Sequence, residues 1–310
     1  MATTTSITST YAGEFAGKYI SAALLSGSTI ENGLITVKPN VKYKEVLKKV
    51  ATDANVIKDA TCDFTATGEV TLTERILQPE EFQVNLEFCK KDFRSDWEAI
   101  QMGYSAYDNL PPKFSDFIIG HAAGLVAEKT ENNIWAGQTG NAGEFDGFYY
   151  LATAGGSGCV SVSGSPLTAA NIIDEIGKVV DAIPSAVYGK EDLYIYLSRK
   201  AAKLYVRALG GFGANGLGAA GVNAQGTQWW NNGALSYDGV KCVIASGLPD
   251  DSMMAAQKSN MYFGTGLLSD HNEVKLIDMG DLDGSQNVRL VMRFTAGVQM
   301  GITSNIVVYA

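Results

Sequence analysis

The hexapeptide from Gly211 to Gly216 has the spacing GxGxxG, the pattern of a dinucleotide-binding loop. In such a site the glycines let the backbone approach a pyrophosphate between a strand and a helix. Here the motif follows a predicted helix and runs into further glycines, so the strand–loop–helix setting is missing. A flexible loop is therefore the better interpretation, and no cofactor is predicted.

Three aspartates, Asp278, Asp281 and Asp283, precede Gly284 and resemble half of a calcium-binding loop. A complete loop of this kind needs a glutamate downstream to close the coordination sphere. The downstream stretch carries Arg289 instead. A polar turn is therefore predicted, and no metal site.

The chain has two histidines, His121 and His271. His121 is predicted on the apolar face of a helix and His271 in a turn. The sequence contains no GxSxG nucleophile elbow, no HExxH zinc motif and no Walker lysine. Without residues that could share proton transfer or nucleophilic attack, no enzymatic activity and no catalytic residue are predicted.

The pair Trp229 and Trp230 could form a binding surface for a carbohydrate or a partner, because aromatic side chains dominate contact energies. Equally, it could pack the glycine-rich loop at 210–236 onto its own domain. A secreted adhesin or sugar-binding module is the functional alternative that would use this pair. The N-terminus argues against it, since it has no basic head and no apolar run of a signal peptide.

The composition excludes several classes of function. The 310 residues include 24 basic and 33 acidic side chains, a formal net charge of −9, which argues against a general nucleic-acid grip. The four cysteines form no CxxC pair and are predicted to be free thiols in a reducing cytoplasm. The most apolar run, residues 117–127, is too short to cross a membrane.

Two stretches of opposite charge stand close together in the sequence. Residues 34–58 are rich in lysine, including Lys48 and Lys49, whereas residues 74–98 are acidic and include Glu80 and Glu81. Both could be solvated faces, since exposed ion pairs contribute only about 0–1 kcal/mol each. The alternative is that the two stretches meet, either within the chain or between copies.

The elements that would carry these residues begin with a hairpin predicted at residues 62–77, with its turn at Gly68, and a strand at 82–89. A short helix is predicted at 92–100. The longest predicted helix begins at Pro111–Pro112 and ends before Gly137. Its predicted apolar stripe comprises Phe114, Phe117, Ile118, His121 and Leu125, and its last turns, with Glu128, Glu131 and Asn132, are predicted to face a polar surface.

A second body is predicted after a glycine-rich boundary at 137–165. It starts with a helix whose apolar positions run from Ala169 to Ile183 at helical spacing, Ile173 among them. A strand at 193–197 and a helix capped by Ser198 follow. The remaining predicted strands are 240–245, 262–263, 274–277, 288–294 and 298–309.

This order of parts resembles the major capsid protein of tailed bacteriophages, with the Hong Kong 97-type fold. Three pieces of sequence carry the resemblance: Gln78–Phe82 leading into Phe93–Trp97, the helix end from Ala127 to Gly137, and Asn260–Gly266. None of them is a catalytic signature. The resemblance covers essentially the whole chain.

The resemblance implies an α+β fold divided into four parts. These are an N-terminal arm at 1–45, an extended β-hairpin loop at 46–80, a peripheral domain at 81–165 and 286–310 with a long spine helix at 113–136, and an axial domain at 166–285. The chain departs from some members of the family because it has no long charged helical segment at its N-terminus of the kind used as a fused scaffold.

The implied function is structural and non-enzymatic. Such a subunit self-assembles as pentamers and hexamers into the icosahedral shell of a virion, in the host cytoplasm, and encloses double-stranded DNA without sequence-specific binding. A separate scaffolding protein, a portal and a decoration protein are the implied partners, and no membrane is involved. An encapsulin-like compartment shell is the alternative on the same fold. The residues predicted to lie at contacts between subunits are Lys48, Lys49, Glu80, Glu81, Glu128, Glu131, Trp229 and Trp230.

Overall fold

The computed structural model describes residues 10–11, 27–52, 57, 59, 62, 69–89, 112–210, 235–266 and 274–310. The strands are β1 (Thr10–Tyr11), β2 (Thr36–Lys38), β3 (Glu45–Thr52), β4 (Val70–Leu77), β5 (Glu80–Cys89), β6 (Val160–Val162), β7 (Leu193–Leu197), β8 (Leu235–Tyr237), β9 (Val240–Ile244), β10 (Met253–Gln257), β11 (Met261–Gly264), β12 (Val274–Asp278), β13 (Asn287–Met300) and β14 (Val307–Tyr309). The α-helices are α1 (Ser28–Glu31), α2 (Pro112–Ala136), α3 (Phe148–Thr153), α4 (Ile172–Asp181), α5 (Arg199–Gly210) and α6 (Gly280–Asp283). The predicted helix at 92–100 lies outside the described residues.

The first sheet is organised around β13, in the order β1-β12-β13-β11-β2, with β5 also paired to β13. β5 pairs with residues 287–296, and β11 pairs with residues 297–300. The prediction of two strands at 288–294 and 298–309 is wrong, because this continuous ladder carries β13 through to Met300. The break falls later, at a 3₁₀ turn spanning Thr303–Asn305, after which β14 joins the second sheet.

The second sheet has the order β6-β14-β10-β7-β9-β8, and α4 and α5 pack on it. The predicted helix is confirmed over Ile172–Asp181, and its side chains Ile172, Ile176 and Val179 are fully buried. Ile173 is exposed, contrary to its predicted place on the apolar stripe. The predicted cap of α5 is confirmed, since Ser198 Oγ accepts a hydrogen bond from the Ala201 amide at 3.2 Å.

The spine helix α2 is confirmed in extent, but its buried face matches the predicted stripe only in part. Ile118 of that stripe is buried, and the side chains of Phe114 and Phe117 lie outside those described. Ile119, Ala122 and Val126 are buried against β12 and β13, whereas His121 and Leu125 are exposed. The helix carries apolar side chains on more than one side, so two stripes can be drawn through it, and the sheet covers only one. Full burial of each large apolar side chain contributes about 1.5–3 kcal/mol, which decides the orientation.

One side of the last turns of α2 enters the core, whereas Glu128 and Asn132 on the other side are exposed as predicted. Ile134 and Trp135 are fully buried, and the Trp135 ring lies 5.7 Å from Phe148 and 5.0 Å from Tyr196 between ring centroids. Phe148 belongs to α3, within the stretch 137–165 that was predicted to be a glycine-rich boundary. That stretch therefore contributes a helix and buried aromatic side chains to the main core.

A hairpin of β3 and β4 forms a separate two-stranded sheet. Of the hairpin predicted at 62–77, the second strand is confirmed as β4, which pairs with the lysine-rich β3, whereas the first strand falls on residues 63–68, outside the described residues. This register places Val46 opposite Ile76 and Lys48 opposite Glu74. Apolar pairs and opposite-charge pairs across a ladder are each favourable, so both kinds of pair stabilise this register. The predicted turn at Gly68 lies outside the described residues.

Candidate assembly surface

The outer face of the β3–β4 hairpin carries exposed apolar side chains on either side of the Lys48–Glu74 pair. Val46 and Val50 on β3 share this face with Val70, Leu72 and Ile76 on β4, since residues directly opposite in a ladder lie on the same side. Val50 is 62% exposed and Leu72 is 58% exposed. Exposed apolar side chains grouped in this way are typical of surfaces that contact another molecule. We call these five residues the hairpin face.

The base of the hairpin is fixed to the body of the subunit. Leu77 is fully buried, and its side chain lies so close to Gly264 that an added Cβ there would be 3.0 Å away. The Arg75 guanidinium donates hydrogen bonds to Ser157 O at 3.3 Å and to Thr303 Oγ1 at 3.4 Å. These contacts set the direction in which the hairpin face is presented.

The sequence contained a signal for the hairpin face. Val70 and Leu72 stand two residues apart on one face of β4, which is the period of a strand, whereas Val46 and Val50 stand four residues apart on one face of β3 with Lys48 between them. The hairpin face was not predicted, because residues 34–58 were interpreted through their lysines and no strand was predicted at 45–52.

The structure separates the charged residues predicted at contacts between subunits. Lys48 is exposed and lies opposite Glu74, so one lysine of the basic stretch meets the acidic stretch within the chain. Lys49 points to the other face of the hairpin and is half-buried. Glu80 and Glu81 begin β5, and among the described residues no ion pair joins them to either lysine.

Glu128 and Glu131 also differ from each other. Glu128 is exposed, as predicted, but Glu131 is only 5% exposed, so the prediction that it faces a polar surface is wrong. Its carboxylate accepts hydrogen bonds from the Thr29 amide at 3.1 Å, from Thr29 Oγ1, and from Ser28 Oγ at 3.1 Å. The short helix α1 is thereby held on the end of α2. The spacing of more than a hundred residues between the partners left no local signal for this contact.

The loop after α2 is held by a second carboxylate. Glu144 accepts hydrogen bonds from Lys129 Nζ, from Asn141 Nδ2 at 3.0 Å and from the Gln138 amide at 3.2 Å. These donors, Lys129 first among them, lower the pKa of Glu144 to about 2. The C-terminal end of the spine helix is thus restrained by Ser28 and Thr29, which precede it in the sequence, and by Glu144, which follows it.

An apolar groove of about 260 Å³ lies between α2 and the first sheet. Leu86 and Leu125 are exposed at its rim, and Phe82, Val84 and Phe294 lie along it. The groove is a second apolar surface of the subunit, and β5 supplies part of its lining.

Several predicted residues lie outside the part of the chain that the structure describes: Trp229, Trp230, the GxGxxG motif and His271. Within the described residues, no three His, Cys, Asp or Glu side chains are grouped closely enough to hold a metal ion. No helix there is long and apolar enough to span a membrane.

No protein-family model and no curated protein sequence matches the chain. Solved structures match it in fold. The capsid of Myoviridae phage XM1 is similar over 91% of this chain and 91% of that chain, with 13% identity and a TM-score of 0.56. The capsid of a native GTA particle is similar over 93% and 89% of the two chains, with 12% identity and a TM-score of 0.59.

A virus-like particle from Pyrococcus furiosus is also similar, over 94% of this chain and 98% of that chain, with 11% identity and a TM-score of 0.53. Together these likenesses show that the chain has the Hong Kong 97-type capsid fold. The predicted α+β class is confirmed.

Proposed function

We propose that this chain is the major capsid protein of a tailed double-stranded DNA bacteriophage. It is a structural, non-enzymatic subunit that assembles with itself as pentamers and hexamers into the icosahedral shell of the virion. The observation that carries the proposal is the hairpin face, whose apolar side chains are exposed to solvent. The base of this hairpin is fixed to a body that has a capsid fold. A monomer gains nothing from such a surface, whereas a shell repeats the contact by symmetry.

The division into parts follows the same proposal. Residues 1–45 form the N-terminal arm and residues 46–80 the extended loop, which agrees with the hairpin of β3 and β4. Residues 81–165 and 286–310 form the peripheral domain around α2, and residues 166–285 form the axial domain around α4 and α5. The arm contacts the body through β1, which pairs with β12, and through Ser28 and Thr29, which donate hydrogen bonds to Glu131.

The hairpin face and the groove beside α2 offer complementary apolar surfaces. We assign the groove rimmed by Leu86 and Leu125 as the surface that receives the hairpin face of a neighbouring copy. Contact between different patches on identical subunits is heterologous, and it closes into rings when the rotation between subunits allows it. Pentamers and hexamers are such rings.

The charged residues add selectivity to this contact. Lys48 and Lys49 on the hairpin are proposed to approach Glu80 and Glu81 of a neighbouring copy, which lie at the start of the strand that borders the groove. Exposed charges of this kind guide association and orientation more than they add affinity. Glu128, exposed on α2, and the tryptophans at 229 and 230 remain further candidates for contacts between copies.

Assembly is proposed to take place in the host cytoplasm with a separate scaffolding protein, a portal and a decoration protein as partners. The net charge of −9 supports a container whose DNA is neutralised by small cations rather than by a basic protein lining. The shell would therefore enclose DNA without recognising its sequence.

An encapsulin-like compartment is the second candidate, favoured by the likeness to the virus-like particle from Pyrococcus furiosus. Purified particles from the native source distinguish the two. Particles that contain double-stranded DNA support the capsid proposal, whereas particles that contain a cargo enzyme and no DNA support the compartment.

A further inference from the structure

A cleft of about 760 Å³ separates the hairpin from the body of the subunit. On the hairpin side it is lined by six consecutive residues of β3, 45–50, and by residues 73–75 of β4, and on the body side by Ser259, Tyr262 and the turn at 301–303. Successive side chains of a strand point to opposite faces, so a cleft lined by six consecutive residues is bordered by the main chain of β3 as well as by its side chains. The main chain of β3 has one edge that is turned away from β4.

That edge of β3 has no strand partner. Within the described part of the chain β3 pairs with β4 alone, so the backbone N–H and C=O groups along its other edge are not used in a ladder. An open edge of this kind accepts an additional strand, whose main chain then supplies the missing hydrogen bonds.

The cleft is also strongly basic for a chain of net charge −9. Its charged lining side chains are five cations and two carboxylates, namely Lys38, Lys48, Lys49, Arg75 and Lys190 with Glu45 and Glu74. Lys38 is paired with Glu45 at 2.9 Å. Among the described residues no ion pair involves Lys49 or Lys190, so these two cations are available to a bound group.

We infer that this cleft binds an extended acidic segment of a partner polypeptide, which adds as a strand to the free edge of β3. Its carboxylates would lie against Lys49 from the hairpin and Lys190 from the body. A polypeptide fits better than a nucleic acid, because a phosphodiester backbone has no N–H groups to donate to the carbonyl oxygens of the strand edge. The site does not depend on shell formation, since one subunit contains all of it.

The test uses a fluorescein-labelled peptide of alternating Glu and Thr, with a Gln and Thr peptide for comparison. Binding to the unassembled full-length protein is measured by fluorescence anisotropy at low salt. We expect the Glu peptide to bind the wild type and the double variant Lys49→Glu/Lys190→Glu to bind it about tenfold more weakly or worse. The matched control Lys203→Glu/Lys241→Glu makes the same change of charge on exposed lysines elsewhere and should retain the wild-type affinity.

Three results would overturn the inference. The first is that the cleft variant binds the Glu peptide as tightly as the control variant does, and the second is that the wild type binds the Gln peptide as tightly as the Glu peptide. The third is that single-stranded DNA, added at the same concentration of negative charge, displaces the Glu peptide. Hydrogen exchange adds a readout of the binding mode, because strand addition should protect amides within residues 46–50. Unchanged exchange there would also contradict it. If the charge-reversed variant does not fold, Lys49→Gln/Lys190→Gln replaces it. Because the measurement uses unassembled protein, a failure to form shells does not affect its outcome.

Discussion

Trp135 Nε1 donates a hydrogen bond of 2.8 Å to Thr29 Oγ1, and so joins the end of the spine helix to a segment 106 residues earlier in the chain. The same hydroxyl donates to the Glu131 carboxylate, one turn earlier on the helix. All three side chains are buried. Thr29 is therefore both acceptor and donor in the contact that places the N-terminal segment on α2.

Replacing Thr29 with valine tests this contact. Thr29→Val keeps the shape of the side chain but leaves the Trp135 N–H without its acceptor and removes one donor from Glu131. Leaving a buried polar group unsatisfied costs about 1–3 kcal/mol, so the free energy of unfolding in urea should fall by about that amount. Thr29→Ser retains the hydroxyl and should recover most of the loss. Equal stability of Thr29→Val and wild type would contradict the contact.

Gly247 is predicted to be intolerant of any side chain. A Cβ at this position would lie 2.3 Å from the backbone oxygen of Glu131, on the α2 turn that receives the N-terminal segment. Gly247→Ala should therefore destabilise the protein by about 1–3 kcal/mol, the usual cost of overpacking.

Gly124→Ala, in the exposed middle of α2, is the matched control. Nothing lies within 4 Å of its added Cβ, so the substitution should instead stabilise by about 0.5–1 kcal/mol. The stability of both variants is measured by thermal unfolding followed by circular dichroism. The prediction would be contradicted if Gly124→Ala lowered the stability and Gly247→Ala did not.

The Glu144–Lys129 contact predicts a pH dependence of stability. The pKa of Glu144 falls from 4.5 to about 2 in the folded protein, chiefly through its hydrogen bond with Lys129. Stability from this group is fully present above about pH 4.5 and is lost as the pH falls toward 2.

Glu144→Gln should lower the free energy of unfolding by about 1 kcal/mol near neutral pH, since Lys129 is half exposed and the pair is partly screened. The difference from wild type should shrink as the pH is lowered from 4.5 toward 2. Glu128→Gln, an exposed position on the same helix, should change stability little. A difference for Glu144→Gln that stays constant over this range would contradict the assignment.

The charged residues of the hairpin can be tested by reversal. Lys48→Glu/Lys49→Glu should reduce the yield of assembled particles without unfolding the subunit, because it removes the attraction to Glu80 and Glu81 of a neighbouring copy. Sedimentation separates assembled from free protein. Restoration of yield by Glu80→Lys/Glu81→Lys in the same chain would support the pairing, and an unchanged yield for the lysine variant would exclude it.

Elements with a regular apolar period could be predicted from the sequence. The helix at 172–181 and the strand at 193–197 follow directly from their spacing, and the extent of α2 follows from Pro112 and Gly137. The buried face of α2 could not be chosen, because burial depends on which sheet covers the helix.

Contacts between segments that are distant in the sequence could be predicted even less. A glutamate one turn before a helix end is ordinarily exposed, and only the arrival of Thr29 and Ser28 makes burial of Glu131 favourable. The same holds for the hairpin, since the strand that pairs with β4 is fixed by cross-strand partners rather than by the nearest turn residue.

Shell formation is the central claim, and electron microscopy of the purified protein tests it most directly. Wild-type protein is predicted to form closed, uniform shells or the rings from which shells are built. The variant Val50→Lys/Leu72→Lys, which places charges on the hairpin face, should remain folded and unassembled. Ile173→Lys, an exposed apolar position on α4, should assemble as wild type does. A wild-type protein that stays a uniform monomer under all assembly conditions would contradict the account.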